Sequence, residues 1–575
     1  MAEQERHIPD PALPDWPMRP WVLAVLLAIA GLVVNAAMDW GADTQAPWRA
    51  ALAAFAFFGA LVLAFTLEEN RLRSPLGFAA LCGLVMAGIA WRVARAEDHH
   101  ADEQFWLAAG VVAMVLALPL FQAGFHRLRW RTSYELAHYH VWTDAISAAG
   151  AFAFLGLSWL LLVLMSELFA AIEIDLLRDL IEETWFGWLF SGVASGAALG
   201  TLRNQLKVIG TLQSVVLLVF SLVAVPFAIA LIIFLVAVLV SGLDVLWNAT
   251  QSPTPLLLSC AAACFVLVNA VARNNDAEAS ANRILRLSGL VLALGILPLS
   301  VMAAVSTGTR IAQHGLSPER IWGVIAVAVA VAYGVAYFIA PIRGRIAGWM
   351  ERVREANLHL AVGTCVLAFV LALPLFDFGA LSARNQIARL ESDEVPVERF
   401  DFSALRWDFG DAGREALAKL ASSGNAEVQT LALEAQAQET RPYRWANVDS
   451  EETERRLANL RMQFSDEALR SRVIGYVRVT PYRCDTACVA LDLGPGDDGR
   501  RKVALVDEGF VDLQDFDLTS PQAGNSAEIA VEKAAADAEK AAQAPEQKPD
   551  STVEIRPWSG RRVYIDGKPA GEPFE

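Results

Sequence analysis

Eleven apolar stretches, each long enough to cross a bilayer, occupy the first two thirds of the chain, and the basic residues between them fall on alternate loops. A hydrocarbon core about 30 Å thick takes roughly 20 helical residues to cross, and no soluble fold has room for so many such segments. The expected fold class is an α-helical polytopic membrane bundle of about 11 transmembrane helices, followed by a C-terminal water-soluble α+β domain. Composition agrees: 55% hydrophobic residues, 19% charged residues and a mean hydropathy of +0.37 describe a chain whose main solvent is lipid. The predicted spans are 21–38, 50–67, 75–91, 104–121, 146–168, 185–202, 213–241, 255–272, 284–307, 321–340 and 357–376. The third and sixth are short enough to be re-entrant. The seventh is the longest and is expected to tilt or to kink at Pro226.

Positively charged short loops resist export, so the Lys and Arg positions orient the chain. With residues 1–20 as a cytoplasmic tail, the cytoplasmic segments hold Arg6, Arg19, Arg71, Arg73, Arg127, Arg129, Arg131, Arg203, Lys207, Arg273, Arg283, Arg343, Arg345, Arg352 and Arg354. The opposite loops hold chiefly Arg92, Arg95, Arg178, Arg310 and Arg320. An odd number of crossings then exports the C-terminal region, to the periplasm if the membrane is the inner membrane of a two-membrane bacterium. Trp21, Trp40, Trp48, Trp91, Trp106, Trp185, Trp247 and Trp322 lie at span ends, where an amphipathic indole is favoured. The mostly polar tail before the first span is unlike a cleavable signal peptide, so that span is expected to stay as a signal anchor. No lipidation motif adds a second attachment.

After Phe376 the chain turns polar. From Asp377 onward it carries 37 acidic and 25 basic residues, a balance of −12, as expected of a solvated exported surface. With no basic stripe to neutralise phosphates, nucleic acid is not expected as a partner. Residues 377–519 are expected to form an α+β domain, 520–550 a low-complexity tether rich in Ala, Glu, Lys, Gln and Pro, and 551–575 a terminal β-hairpin. Within the domain, Phe378 to Gln438 and Glu451 to Arg470 read as helical. Val473 to Thr480, Cys488 to Leu493 and Lys502 to Val506 read as strands, and the last hairpin spans Val553 to Lys568 with its turn near Ser559 and Gly560.

Candidate chemistry is sparse. Cys82, Cys260, Cys264 and Cys365 lie in spans and read as small apolar packing residues. Cys484 and Cys488 lie in the exported region, where an oxidising compartment favours a disulfide closing a short loop. A zinc site needs four ligands, yet no His follows His359. His126, His138 and His140 cluster with Asp144 before the fifth span; a metal could use them, but an interfacial role is the simpler reading. No cofactor or metal is therefore expected. Charge within hydrocarbon is costly and tends to mark function, which singles out Glu167 as a candidate substrate or proton site, although a carboxylate that reaches the interface or pairs with Arg178 is the simpler reading. Asn35 and Asn269 read as interhelical hydrogen-bond partners. Gly192, Gly196 and Gly200 share one helix face and invite close approach of a neighbouring helix within the same chain. The string Val115 to Phe121 recurs identically at Val370 to Phe376, which raises an inverted repeat, though such apolar strings match readily by chance.

The segment Arg310 to Trp322 makes sense as a helix start, with Ser317 as cap, Pro318 in the first position and Glu319 at the positive end of the helix dipole. Through Arg310, Gly315, Leu316, Pro318 and Arg320 it resembles a signature of the domain-of-unknown-function 4153 family, bacterial inner-membrane proteins with a run of spans and a polar C-terminal region. Phe400 to Gly410 is similar to that family's post-membrane segment. The resemblance reaches to about residue 420 and implies location and topology; it carries no catalytic residue. The expected function is a non-enzymatic envelope protein that anchors an exported sensing or binding domain, with the lipid bilayer and other envelope proteins as partners. The alternative is a secondary transporter or flippase, and a membrane enzyme stands third. Glu167 buried beside a polar cavity would favour transport, and a dry bundle would favour the anchor.

Overall fold

The computed structural model describes residues 16–38, 46–96, 99–242, 253–280, 282–438, 441, 450–480, 483–495, 500–507, 510–516, 561–565 and 568–574. Among these, ten helices are long and apolar enough to cross a membrane. The first are α1 (Arg19–Ala37), α2 (Pro47–Thr66), α3 (Arg73–Ala96) and α4 (Glu103–Gln122), each packed on the next in sequence. A one-turn α5 (Phe125–Leu128) leads into the long α6 (Tyr134–Ala170) and a short α7 (Leu176–Glu182). Then come α8 (Thr184–Asn204), α9 (Leu206–Ser241), α10 (Pro253–Ala272), α11 (Arg283–His314) and α12 (Pro318–Ala372).

The predicted sixth span, the 21-residue α8, is not among those ten. Its glycines settle its course. A Cβ at Gly200 would meet Pro20, one at Gly196 would meet Leu23 and Ala24, and one at Gly192 would meet Leu27 and Ala28; in return the Trp188 carbonyl lies over Gly31. Residue numbers rise on one helix as they fall on the other, so α8 runs antiparallel to α1 along most of its length. It follows α1 through four successive contacts, from Gly200 against Pro20 to Trp188 against Gly31. Likewise α3, at 24 residues, packs between α2 and α4.

Residues 318–372 form a continuous helical run, yet it cannot be straight. Twenty residues of straight helix span about 30 Å, whereas the Tyr337 hydroxyl donates to Asn357 Oδ1 at 2.7 Å. The chain therefore folds back between them, near Gly344, where a Cβ would lie 3.0 Å from the Trp349 nitrogen. The two arms, Pro318–Gly344 and Gly348–Ala372, are the predicted tenth and eleventh spans. By contrast α9 passes through Pro226 as one helix. The central core joins α9, α10, α11 and α12 around Leu257, Cys264, Leu292, Ile296 and Tyr337.

The composition break at Phe376 is not the end of the first compact unit, which runs to Ala437. Four further helices belong to it: α13 (Phe378–Glu391), α14 (Phe402–Trp407), α15 (Gly410–Leu420) and α16 (Ala426–Gln436). They bury a small core of Phe402, Leu405, Phe409, Leu417 and Ala432.

The second unit, Gln438–Glu575, holds α17 (Ser450–Asn459), β1 (Leu460–Met462), α18 (Glu467–Val479), β2 (Cys488–Pro495), β3 (Arg501–Asp507) and β4 (Phe510–Phe516). The sheet order is β1-β2-β3-β4, with β1 parallel to β2 and the other pairs antiparallel. Three sequence expectations fail in this unit. Val473 to Thr480 is the end of a helix: Leu469, Val473 and Val477 repeat every four residues and bury one face against Ala490, Val503 and Leu505. Asp466 caps that helix, accepting from Ala468 N at 3.0 Å. Glu451 to Arg470 is two helices interrupted by β1, because Leu460–Met462 leaves the helix to join the sheet. The strand β4 was not expected, its pattern being obscured by Asp512 and Asp515. The terminal hairpin exists as β5 (Arg561–Ile565) and β6 (Lys568–Phe574), but it closes between Ile565 and Lys568 rather than near Ser559. The tether at 520–550 lies outside the described residues.

Candidate functional site

Two features stand at opposite ends of the membrane helices. The first is a polar seam where α11 turns into α12. A helix that ends leaves carbonyls without intrahelical donors, and here side chains supply them. Arg320 Nη1 donates to the Gly315 carbonyl at 2.9 Å and to that of His314 at 3.2 Å. From α13, Gln386 Nε2 donates to the carbonyls of His314 (2.9 Å) and Leu316 (2.8 Å), while Arg389 Nη2 reaches those of Gln313 (2.9 Å) and Ala312 (3.3 Å). The Leu316 N–H donates to Asn385 Oδ1 at 2.8 Å. Gly315 has φ +71, and a Cβ there would sit 2.6 Å from both Arg389 Nη1 and Gln386 Nε2. The left-handed backbone favours glycine, and a side chain there would also displace the Arg389 and Gln386 head groups from their carbonyls. Ser317 caps the next helix through Arg320 N at 3.3 Å, with Pro318 behind it, as the sequence predicts.

Asp102 locks the same seam from the start of α4. Only 1% exposed, its carboxylate accepts from Trp322 Nε1 at 3.1 Å and from the Phe378 N–H at 2.9 Å. Burial pushes its pKa up, and those two hydrogen bonds pull against that shift. Beside it Arg92 donates to the Ala372 carbonyl at 3.1 Å and lies over the Trp106 ring. His99 Nδ1 meets Asp411 Oδ2 at 2.8 Å, and the Asp411 N–H donates to the His99 carbonyl. The hydrogen bond from Arg414, joined by His99, holds the Asp411 pKa below the ordinary carboxylate value.

At the other end, the turns after α2 and α4 and the first turns of α6 enclose a cavity of about 770 Å³. Its deep wall is polar. Arg203 on α8 is buried and donates to the Ala64 carbonyl at 2.6 Å; Arg19 in turn donates to the Arg203 carbonyl at 2.9 Å. Asp144 faces Arg203 and Gln122. Gln122 Nε2 is used by the Phe65 carbonyl at 3.0 Å. That leaves Asp144 Oδ2 and Gln122 Oε1 as buried acceptors without a donor among the described residues. Arg71, Arg73 and Arg127 stand at the rim, and Phe65, Phe121 and Leu136 line the apolar walls.

The family model described as "Domain of unknown function (DUF4153)" matches residues 52–420, more than half of the chain and all of the seam. The chain belongs to the DUF4153 family. No curated protein and no solved structure matches it. The DUF4153 region thus contains both the seam and the whole cavity lining, and its end at residue 420 coincides with the last residue of α15.

Within the DUF4153 region the residues singled out in the sequence separate. Gly315, Leu316, Pro318 and Arg320 form the seam elbow, with Arg310 in the last turns of α11 just before it. Asn269 joins helices: its Oδ1 accepts from Asn357 Nδ2 at 2.7 Å, and its Nδ2 lies 2.8 Å from the Tyr337 hydroxyl. Tyr134 on α6 adds to this buried cluster through Asn269 Oδ1 at 3.2 Å. Glu167 is exposed near the far end of α6 from the cavity, and among the described residues no ion pair joins it to Arg178. Gly192, Gly196 and Gly200 carry the contact with α1. The three histidines do not converge: His126 stacks on Phe121, His138 bonds Asn274 and accepts from Trp142, and His140 lines the cavity. Among the described residues no three His, Cys, Asp or Glu side chains are placed to share a metal ion. Outside the family match, Asn35 is half-buried and makes no side-chain hydrogen bond among the described residues. Cys484 and Cys488 lie at disulfide distance, Cα atoms 4.9 Å apart. Sequence reasoning missed Asp102, Asn385, Gln386 and Arg389; the available signal was a cluster of hydrogen-bonding side chains just past the last apolar span.

Proposed function

We propose that this DUF4153 protein is a multi-pass protein of a bacterial inner membrane whose spans form a rigid mount for polar chain on the exported side, where the second unit senses or binds envelope components. The observation that carries this reading is the seam. Six hydrogen bonds, donated by Gln386 and Arg389 or accepted by Asn385 and Asp102, clamp the first post-membrane helix to the ends of the spans, and two more from Arg320 close the elbow it grips. A bundle built to rock open would leave such a joint loose, whereas a mount needs it fixed. Transport remains the second reading, favoured by the cavity with Asp144 and Arg203 in its wall; Glu167 gives it no support.

The test is a deletion strain complemented with the full chain or with a chain ending at Ala437. Envelope-stress sensitivity that only the full chain relieves, with solute uptake unchanged, is the expected result. A solute-uptake defect rescued equally by the shortened chain would overturn the mount in favour of transport.

A further inference from the structure

The cavity between α2, α4, α6 and α8 has a polarity gradient that neither the seam nor the mount requires. We infer that it is a binding site for a primary-amine phosphate zwitterion, an ammonium joined to a phosphate group. In its wall Asp144 Oδ2 and Gln122 Oε1 are buried acceptors with no donor among the described residues. Two unmet acceptors in one cavity call for a ligand that carries several N–H donors, and an ammonium has three. Arg203 cannot fill this role through Nη1, which the carbonyls of Ala64 and Leu67 engage.

The rim has the opposite chemistry. Arg71, Arg73 and Arg127 are exposed there, and among the described residues no ion pair occupies any of them. Guanidinium groups match phosphate oxygens with paired donors. Glu68 and Glu69 also stand at the rim and keep it from being a general anion trap. A cation alone would leave the arginines unused, and an anion alone would leave Asp144 and Gln122 unmet. A molecule with both charges satisfies both ends. The cavity volume, about 770 Å³, lies within the ordinary range for small-molecule sites of roughly 300–1,000 Å³. The site lies where the α2–α3 and α4–α6 turns leave the spans, the depth of lipid headgroups, so the zwitterion has two sources: a phosphatidylethanolamine headgroup or a soluble phosphoamine.

Full-length protein in detergent would be titrated with phosphoethanolamine, with short-chain phosphatidylethanolamine, and with their trimethylated counterparts, phosphocholine and short-chain phosphatidylcholine. Thermal stability and native mass spectrometry give the readouts. The expected result is a rise in midpoint temperature and a bound mass for at least one primary-amine compound, with at least tenfold weaker binding of its trimethylated partner, which has no N–H to donate. Asp144→Asn should weaken primary-amine binding at least tenfold, and Arg127→Gln should weaken both kinds alike. Binding of phosphoethanolamine alone identifies a soluble ligand; binding of the lipid only identifies the headgroup; either supports the site. Equal binding of amine and trimethylamine forms, or no binding of any of the four, overturns it. The comparison within the parent protein decides the matter even if a variant fails to fold.

Discussion

Asp102 shows how one buried carboxylate can set a joint. Replacing it with Leu would leave the Phe378 N–H and the Trp322 indole N–H without an acceptor, at about 1–3 kcal/mol for each group, whereas Asn keeps one acceptor and should cost less. The pH dependence has a defined sign. Burial raises the folded pKa above the unfolded value of about 3.9, so the folded state holds the proton more tightly. Stability linked to this group is fully present below that value and declines as pH rises through the raised folded value. The midpoint temperature of the parent minus that of Asp102→Asn, measured in detergent from pH 3.5 upward, should fall as pH rises; a flat difference would show that Asp102 does not titrate in the seam. Little of this was legible in advance. Asp102 precedes a span and reads as a helix cap, yet its side chain makes no capping bond, because its partners come from residues 322 and 378. The repeated heptapeptide teaches the same lesson. At Val115 to Phe121 it continues α4 with Pro119 buried inside, and at Val370 to Phe376 the helix stops at Ala372 and Leu373 is extended. Identical local sequence gave two structures, so the string is no evidence of a repeat.

Elements were more legible than residues, because bilayer thickness fixes the length of an apolar helix and leaves few alternatives. The glycine spacing of α8 pointed to a close neighbour, but only the fold names α1. Gly196→Leu is expected to push the Leu23 and Ala24 backbone away from α8. Burying extra methylenes in a packed contact costs typically about 1–3 kcal/mol, and in lipid no hydrophobic gain offsets the lost contact. Size-exclusion chromatography and thermal aggregation should show loss of monodisperse protein for Gly196→Leu, with Val193→Ala, which alters an exposed side chain on the same helix, near the parent. A well-behaved Gly196→Leu protein would make the spacing incidental. The soluble elements were less legible where a short segment fits both periods. Val473 to Thr480 alternates well enough for a strand, and only the buried stripe that begins at Leu469, outside that window, selects the helix.

For the whole molecule, the question is which end faces the cytoplasm. Arg71, Arg127 and Arg203 gather around the cavity end, and Arg273 and Arg354 meet at the parallel turn after α10, where the Arg354 guanidinium binds Asp276 at 2.7 Å. His99, Asp102, His314, Phe378 and Asp411 gather at the seam end. Two of the basic residues that the charge rule places outside have structural employment there: Arg92 and Arg320 donate to carbonyls at chain turns. They are fixed by the fold, as Arg203 and Arg354 are at the cavity end, and weigh little against the exposed Arg71, Arg73 and Arg127 there. The proposed orientation therefore puts the cavity inside and the seam outside. Alkaline phosphatase fused after Ala437, where the first unit is complete, should be active, and the same reporter placed within Arg127 to Arg131 should be inactive. Placing the first fusion after Ala437 rather than after Phe376 matters, because the earlier site would remove Gln386 and Arg389 and open the joint being tested. The oxidation state of Cys484 and Cys488 gives an independent reading, since a disulfide in non-reduced peptides from whole cells accords with an oxidising compartment. Reporter activity at both sites or at neither would defeat the topology, and an active Ala437 fusion with both thiols free would keep the topology while removing the disulfide from it.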